Sequence, residues 1–158
     1  MRRVLFVLAC ALAPAAVTGG CGRSTPASSS SVAPAEAAKL LVDRNWIDRM
    51  PEHHDDRLHV YRFVPSMGGG VYQDRTVFKG SFELFVFAVD GASLEVRLPD
   101  TGERVRTGFT IERVAGPAPF DLRLTLAHAP RGPRVYYGIA AEADRTGAAL
   151  EARLAELP

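Results

Sequence analysis

The sequence lacks an excess of charge of either sign, and its only lysines are Lys39 and Lys79. Its 19 Lys and Arg residues face 18 Asp and Glu residues, for a formal net charge of +1. Removing residues 1–20 takes away two arginines and no acids, which leaves 17 bases, 18 acids and a charge of −1. Nucleic-acid binding needs a clustered positive field, so this balance argues against it. With 47% hydrophobic and 23% charged residues, the composition is typical of globular proteins and excludes wholesale disorder.

The sequence also lacks an apolar run at its start that is long enough to cross a bilayer. The uncharged run Val4–Val17 has 14 residues, whereas a membrane-spanning helix needs about 20. A short positive segment, Met1–Arg3, precedes the run, and small residues follow it. This order is typical of an export signal, and we predict that residues 1–20 form a signal peptide.

The residues that follow this apolar run end in a cysteine. Gly19 and Gly20 stand directly before Cys21 and resemble the lipobox of bacterial lipoproteins, although Thr18 occupies a position where that family usually has Leu. The resemblance implies that Cys21 becomes the mature N-terminus and carries a lipid. The protein would then be held at a membrane of the bacterial envelope.

The cysteine count favours this lipid anchor over the alternative, a plain secreted protein cut after Ala15 or Gly20. Cys10 lies inside the signal core, so Cys21 is the only cysteine of the mature sequence and has no disulfide partner. Gly22, rather than Asp, follows it. By analogy with lipoprotein sorting, this favours the outer membrane, with the protein facing the periplasm.

Composition divides the mature chain into a tether and one domain. Ser24–Ala38 is rich in Ser, Ala and Pro and nearly uncharged, so we predict a flexible spacer over residues 21–38 that begins with the lipidated cysteine. From Lys39 onward, periodic apolar and charged residues continue to the end. Residues 39–158 are therefore predicted to form a single domain.

Most of this domain has the period-two pattern of antiparallel strands with one face exposed to water. Leu94, Val96 and Leu98, for example, alternate with Glu95 and Arg97. Turn-forming Gly, Pro and Asp residues separate such segments. The predicted strands are Asn45–Met50, Leu58–Val64, Gly70–Val77, Gly80–Val89, Ser93–Leu98, Glu103–Arg113, Phe120–Ala127 and Arg134–Ile139.

Eight short strands joined by tight turns predict a mainly β fold, an up-and-down meander closed as a small barrel. Leu150, Leu154 and Leu157 share one stripe and predict a C-terminal helix. We expect this helix to cover the strand that carries Phe85 and Phe87, because that strand is apolar on both faces. A second, shorter helix is predicted over Pro34–Val42.

Three features resemble the lipocalin-like, or calycin, barrels: the eight-strand meander, Trp46 on the first strand, and a late basic residue, Arg131 or Arg134. The resemblance implies that Trp46 is a structural residue at one end of the barrel, packed under an Arg from the last-strand region. Arg134 is the first choice, because it should begin the eighth strand, which pairs with the first on closure. The family has Gly two residues before the Trp, whereas this chain has Arg44.

One cluster has metal-type ligands, formed by His53, His54, Asp55, Asp56 and His59. Adjacent ligands point in different directions, and later in the chain only the isolated His128 adds an imidazole. We therefore interpret the cluster as a solvated loop and predict no metal and no cofactor.

No catalytic motif is found. Ser66–Gly70 is rich in glycine, but a strand-like segment without Lys follows it, so a hairpin loop is favoured over a phosphate-binding loop. No Gly-x-Ser-x-Gly motif occurs. Carboxylates on the water-facing side of strands keep ordinary pKa values and do no acid or base catalysis. We predict no catalytic residue. An enzyme remains an alternative only if a loop carboxylate meets His59 or His128 in space.

Two functions fit these predictions. The first is a non-enzymatic envelope lipoprotein whose barrel binds a small apolar ligand or a partner protein. The second is a structural or inhibitory module without a ligand cavity that acts through surface loops, His53–Arg57 or Gly68–Gly70. Because an eight-stranded barrel either fills its interior or holds one small ligand, spacing alone does not decide between them.

Overall fold

The computed structural model describes residues 29–158, so the predicted signal peptide, Cys21 and the start of the tether lie outside the described residues. The elements are β1 Ser30–Ser31, α1 Pro34–Leu41, β2 Trp46–Ile47, β3 Leu58–Val64, β4 Gly69–Arg75, β5 Gly80–Asp90, β6 Ser93–Arg97, β7 Arg104–Arg113, β8 Leu122–Leu126, β9 Val135–Gly138 and α2 Ala148–Leu154.

Strands β2 to β9 form a closed antiparallel barrel in up-and-down order. Closure results from the pairing of β9 with β2, in which Tyr137 lies opposite Ile47. The predicted mainly β barrel with a C-terminal helix is therefore confirmed. All eight predicted strands are present, and β3 matches its predicted bounds at both ends.

Helix α1 closes one end of the barrel, which we call the base. Pro34 occupies the first turn, where its missing N–H costs nothing. Ala37 and Leu41 are buried in the core, and the indole Nε1 of Trp46 donates a hydrogen bond of 2.9 Å to the carbonyl of Leu41. We call the opposite end the mouth; it is formed by the loops at residues 48–57, 76–79, 98–103 and 127–134.

Residues 29–38 are more ordered than their composition predicts. Strand β1 pairs with the base end of β7, with Ser30 opposite Arg113 and Ser31 opposite Glu112. Because such pairing uses backbone groups, the lack of apolar side chains in this segment does not prevent it. The folded unit thus includes Ser30–Ser31 and α1, and the predicted boundary at Lys39 lies too late in the sequence.

The interior of the barrel is filled with aromatic rings. Tyr61 lies 5.2 Å from Tyr136 and 5.7 Å from Phe85 between ring centroids, and Phe63 lies 5.3 Å from Phe85, all edge to face. Such pairs are favourable beyond the area that they bury. Trp46 is also fully buried in this core. Side chains therefore occupy the space that a ligand inside the barrel would need.

Two adjacent glycines in β4 make room for this packing. A Cβ on Gly70 would overlap the carbonyl oxygen of Arg62 and the ring of Phe85, and one on Gly69 would overlap the carbonyl of Phe85. Of the predicted glycine loop, only Gly68 lies in the turn, with a φ of 73°. The other two belong to the strand and let β5 approach.

Helix α2 packs outside the barrel on β2 and β3. Its residues Leu150 and Leu154 join a buried cluster with Ile47, Leu58, Val60 and Phe120. The expectation that it covers the strand carrying Phe85 and Phe87 is wrong. The period of two directs both rings into the barrel, where they belong to the main core, and α2 lies over other strands.

The structure also corrects the predicted stack of an arginine on Trp46. Trp46 is buried as expected, but Gly138 lies against its ring: a Cβ there would be 3.0 Å from Cε3. Arg134 is exposed at the mouth, with Nη1 3.4 Å from the Ala127 carbonyl. It precedes Gly138 by four residues, or about 13 Å of strand. Arg131 binds carboxylates instead.

Candidate functional site

The predicted metal-type cluster is a structured turn at the mouth. The Asp56 carboxylate accepts the backbone N–H groups of Glu52 and His53, at 2.9 and 3.0 Å, and these bonds hold its pKa below the ordinary value. His54 packs on Phe78, with ring centroids 5.1 Å apart. Within residues 29–158, no group of three or more His, Cys, Asp or Glu side chains is placed to hold a metal ion.

His59 lies apart from that turn, on β3, and faces a cleft in the mouth. We call this the mouth cleft. Its volume is about 540 Å³, and it is lined by His59, Tyr72, Asp74, Ser81, Phe82, Glu83, Asp100, Arg131 and Gly132. The lining of the cleft combines polar and aromatic side chains.

A row of hydrogen-bonded side chains forms one wall of the cleft. His59 Nδ1 lies 2.7 Å from the Tyr72 hydroxyl and 3.8 Å from Asp74 Oδ1. Burial raises the pKa of Tyr72 to about 12, so its hydroxyl stays protonated at neutral pH. The Arg57 guanidinium binds Asp74 and holds the pKa of that carboxyl below its ordinary value.

Strand register prevents His59, Asp74 and Ser81 from acting as a serine-histidine-aspartate triad. His59 pairs with Asp74 on β4, and Asp74 pairs with Ser81 on β5. Neighbouring strands are about 4.8 Å apart, so His59 and Ser81 are separated by about 9.6 Å with the carboxylate between them. A triad needs the histidine in contact with the serine. The structure brings these residue types together in the wrong order for that chemistry.

Arg131 crosses the cleft and ties together three parts of the barrel. Its Nε lies 2.7 Å from Glu83 on β5, and its Nη1 lies 2.9 Å from Glu103, just before β7. Its backbone N–H donates a 2.9 Å hydrogen bond to the Tyr61 hydroxyl. From the sequence, Arg131 is the second choice, after Arg134, for the partner of Trp46. It instead holds the loop at residues 127–134 over the mouth.

Strand β5 forms the other wall and pairs differently along its two halves. Gly80–Phe85 pairs with β4, and Val86–Asp90 pairs with β6. In the part of the chain that the structure describes, no strand pairs with the β6-facing side of Gly80–Phe85. We call this segment the free β5 edge.

Pro99 explains why β6 does not extend along this edge. It follows the end of β6 and has no N–H to donate to a strand ladder. The chain then turns back, with the Leu98 N–H bonded to the carbonyl of Glu103 and the Gly102 N–H bonded to that of Leu98. The β6–β7 hairpin therefore ends before it can cover Gly80–Phe85.

The outer face next to the free edge is apolar and exposed. Phe82 is 72% exposed and Leu84 52%, and Val86 continues the same face. Phe78 in the preceding turn is 74% exposed. We call these four residues the apolar stripe. Large apolar groups that lie together at a surface mark interaction sites more often than scattered ones do.

Sequence reasoning missed both the cleft and the stripe as a site. The two loops it favoured, His53–Arg57 and Gly68–Gly70, border these features without forming them. The signals were present: Glu83 is the one charge inside an apolar run, and Pro99 directly follows a strand. Within residues 29–158, no helix is long and apolar enough to cross a membrane.

The chain was compared with known proteins of three kinds. No protein-family model, no curated protein and no solved structure matches it. The chemistry of its own residues therefore carries the functional argument.

Proposed function

We propose that this chain is a lipid-anchored lipoprotein of the bacterial envelope that binds a partner protein through the mouth side of its barrel and is not an enzyme. The observation that carries the proposal is the apolar stripe. Burying an exposed side chain such as Phe82 or Leu84 in a partner contributes about 1.5–3 kcal/mol per residue. This free energy is gained only when a partner covers the exposed apolar face.

The filled interior supports a protein partner over a small apolar ligand. Tyr61, Phe63 and Tyr136 are fully buried among other side chains, and a ligand inside the barrel would have to displace them. Eight-stranded barrels that hold ligands leave that space open. The proposal thus keeps the partner-protein half of the first hypothesis from the sequence and shares with the second a barrel without a ligand cavity, with the binding surface on β5 and not on the loops alone.

The position of the N-terminus supports a protein over the anchoring membrane as the partner of the stripe. β1 lies at the base end of β7, whereas Phe78 and Phe82 lie toward the mouth. A lipid on Cys21 would therefore attach the domain by its base. The mouth end of the stripe, at Phe78 and Phe82, would then face the space beyond the domain, where other envelope proteins are reached, whereas Leu84 and Val86 lie beside the turn at Gly68–Gly70.

Site-specific photo-crosslinking in cells that express the full-length chain tests the proposal. A photoreactive phenylalanine analogue is placed at Phe82 or Leu84, and at Thr110 as a control, because Thr110 is exposed on β7 away from the stripe. We expect the same protein adduct, identified by mass spectrometry, from both stripe positions and not from Thr110. The identified protein should bind the purified wild-type domain, and binding should weaken in Leu84→Ser.

Two results contradict the proposal. One is crosslinking to lipid alone at the stripe, which would assign this face to the membrane. The other is the absence of any adduct specific to Phe82 and Leu84. Either result leaves the apolar stripe without a protein partner.

A further inference from the structure

We propose that the free β5 edge binds an extended segment of the partner as an added β-strand, and that this segment alternates apolar and basic side chains. The inference rests on the proposed function, since it supposes a protein partner. It adds the mode of binding and the chemistry of the bound segment. Each of these follows from a separate property of Gly80–Phe85.

The backbone of the free β5 edge provides the mode of binding. In an antiparallel strand, alternate residues direct their N–H and C=O groups to opposite sides. Gly80–Phe85 uses one side for β4, and its other side has no strand partner in residues 29–158. An incoming extended peptide can hydrogen-bond to such an edge and take specificity from its alternating side chains. The edge is six residues long, or about 20 Å.

The outer face of the edge selects apolar side chains. Phe82 and Leu84 point outward from β5 and are largely exposed. An added strand places every second side chain on this same face, next to these two residues. Aliphatic or aromatic side chains at those positions would cover the stripe, and cross-strand pairs of this type stabilise paired strands.

The inner face of the edge selects basic side chains. There Glu83 points into the mouth cleft, which also contains Asp74 and Asp100. Among the residues that line the cleft or are ion-paired to its lining, carboxylates exceed guanidiniums by two, a formal balance of −2. The carboxylates are Asp74, Glu83, Asp100 and Glu103, and the guanidiniums are Arg57 and Arg131.

The chain itself already places a cation in this cleft. The guanidinium of Arg131 binds Glu83 and Glu103, so these carboxylates are oriented to hold a basic group. Asp100 lies on the rim of the cleft and is exposed. A Lys or Arg of an added strand would enter beside Arg131 and reach Asp100.

The same charges argue against a second copy of this chain as the occupant. Pairing two β5 edges would bring two mouth clefts of like charge together, with Glu83 of each strand close to the other. Like charges that face each other across paired strands are destabilising. A basic segment of a different protein has the complementary charge.

Binding of short synthetic peptides to the domain tests this inference. The probe is an eight-residue peptide of alternating Val and Lys, blocked at both ends. One control alternates Val and Glu, and a second is the Val-Lys peptide with a central proline, which removes a backbone donor. We expect the Val-Lys peptide to bind at least about tenfold more tightly than either control, which corresponds to about 1.4 kcal/mol.

Variants of the domain locate the binding site. Leu84→Lys should weaken Val-Lys binding about tenfold, because it replaces an exposed apolar contact by a like charge. Asp100→Asn should weaken it about threefold, as expected for a partly exposed charge pair. Glu95→Gln, an exposed carboxylate on the outer face of β6, is the matched control and should leave binding unchanged. All three positions are exposed, so these variants should fold.

Amide hydrogen exchange distinguishes strand addition from contact through side chains alone. In the free domain, amides of Gly80–Phe85 should alternate between slow and fast exchange. The Val-Lys peptide should slow the fast amides, while those of β8 stay unchanged. Equal binding of all peptides, or binding without new protection in Gly80–Phe85, would overturn the inference, as would a dimer of the free domain that Leu84→Lys dissociates.

The failures of the two proposals are distinguishable. A protein adduct at Phe82 and Leu84 without protection of the β5 amides leaves partner binding in place and removes strand addition. The absence of any protein adduct removes the proposed function itself.

Discussion

Trp46 is the single residue whose removal should cost the barrel most. It is 0% exposed and bonds α1 through the carbonyl of Leu41. Trp46→Ala should lower the free energy of unfolding by about 3–5 kcal/mol, because it leaves a cavity and an unpaired carbonyl. Urea denaturation followed by far-ultraviolet circular dichroism measures this, since the variant has no tryptophan fluorescence. Trp46→Phe should cost less, and an unchanged midpoint for Trp46→Ala would contradict the packing role.

Asp144 is one residue through which acid should act on stability. Asn45 Nδ2 donates to Asp144 Oδ2 at 2.8 Å, and the N–H groups of Gly147 and Ala149 also donate to its carboxylate. Burial raises the pKa of Asp144, but the hydrogen bonds from Asn45 and the backbone outweigh it and lower the pKa to about 2. The carboxylate thus fixes the turn that leads into α2.

The shift at Asp144 predicts how stability depends on pH. Because the folded pKa lies below the ordinary value of 3.8, the ionised group stabilises the fold above about pH 4, and this contribution is lost as pH falls toward 2. Asp144→Asn should cost about 2 kcal/mol at pH 7 and little at pH 2. Denaturation at both pH values measures the difference. Asp55→Asn, on an exposed loop, is the control variant.

At the scale of elements, α2 should act as a cover for one wall of the barrel. Leu154 is fully buried against β2 and β3, whereas Leu157 is only partly buried. Leu154→Ala should lower the free energy of unfolding by about 2–4 kcal/mol, and Leu157→Ala by clearly less. Thermal unfolding of both variants provides the comparison. Equal effects would show that the helix does not pack as described.

The elements themselves were largely predictable from the sequence, because alternation along β6, β7 and β8 is a local property. The orientation of β5 was harder to predict, since both of its faces are apolar and the pattern does not indicate which one points inward. β1 was missed because it depends on backbone pairing to Arg113 and Glu112, which no side-chain pattern encodes.

The candidate site was less predictable than the fold. His59 lies 15 residues before Asp74, and Asp74 and Ser81 face each other across one hairpin, so the three are aligned only through the register of three strands. That register depends on the geometry of two turns, and a shift of one residue would reverse every side chain. The free β5 edge also depends on strand pairing. It exists because β6 ends before it can pair with Gly80–Phe85, the part of β5 that pairs with β4.

At the scale of the whole molecule, the lipid anchor is the testable premise. Cys21→Ala should move the protein from the membrane fraction to the soluble fraction, because no acyl chains can be attached. Fractionation of cells followed by intact-mass analysis measures this, and the wild type should carry added acyl mass. The variant should keep its fold, since Cys21 lies ahead of the described domain. A wild-type protein without acyl mass would contradict the anchor.

The two-residue strand β1 would give the segment between a lipid on Cys21 and the barrel two lengths, a shorter one with β1 paired to β7 and a longer one with β1 released. Nine residue steps separate Cys21 from Ser30, so the linker between them can span at most about 32 Å. A pulling force would load β1 first. This segment is held to β7 by the Ser30 and Ser31 pairs and by the Val32 N–H bond to the Ile111 carbonyl, so it would peel away before the barrel yields. Release of the chain from Ser30 up to Pro34 would lengthen this linker by about 14 Å. The domain would then reach farther from the membrane under tension while its fold stays intact.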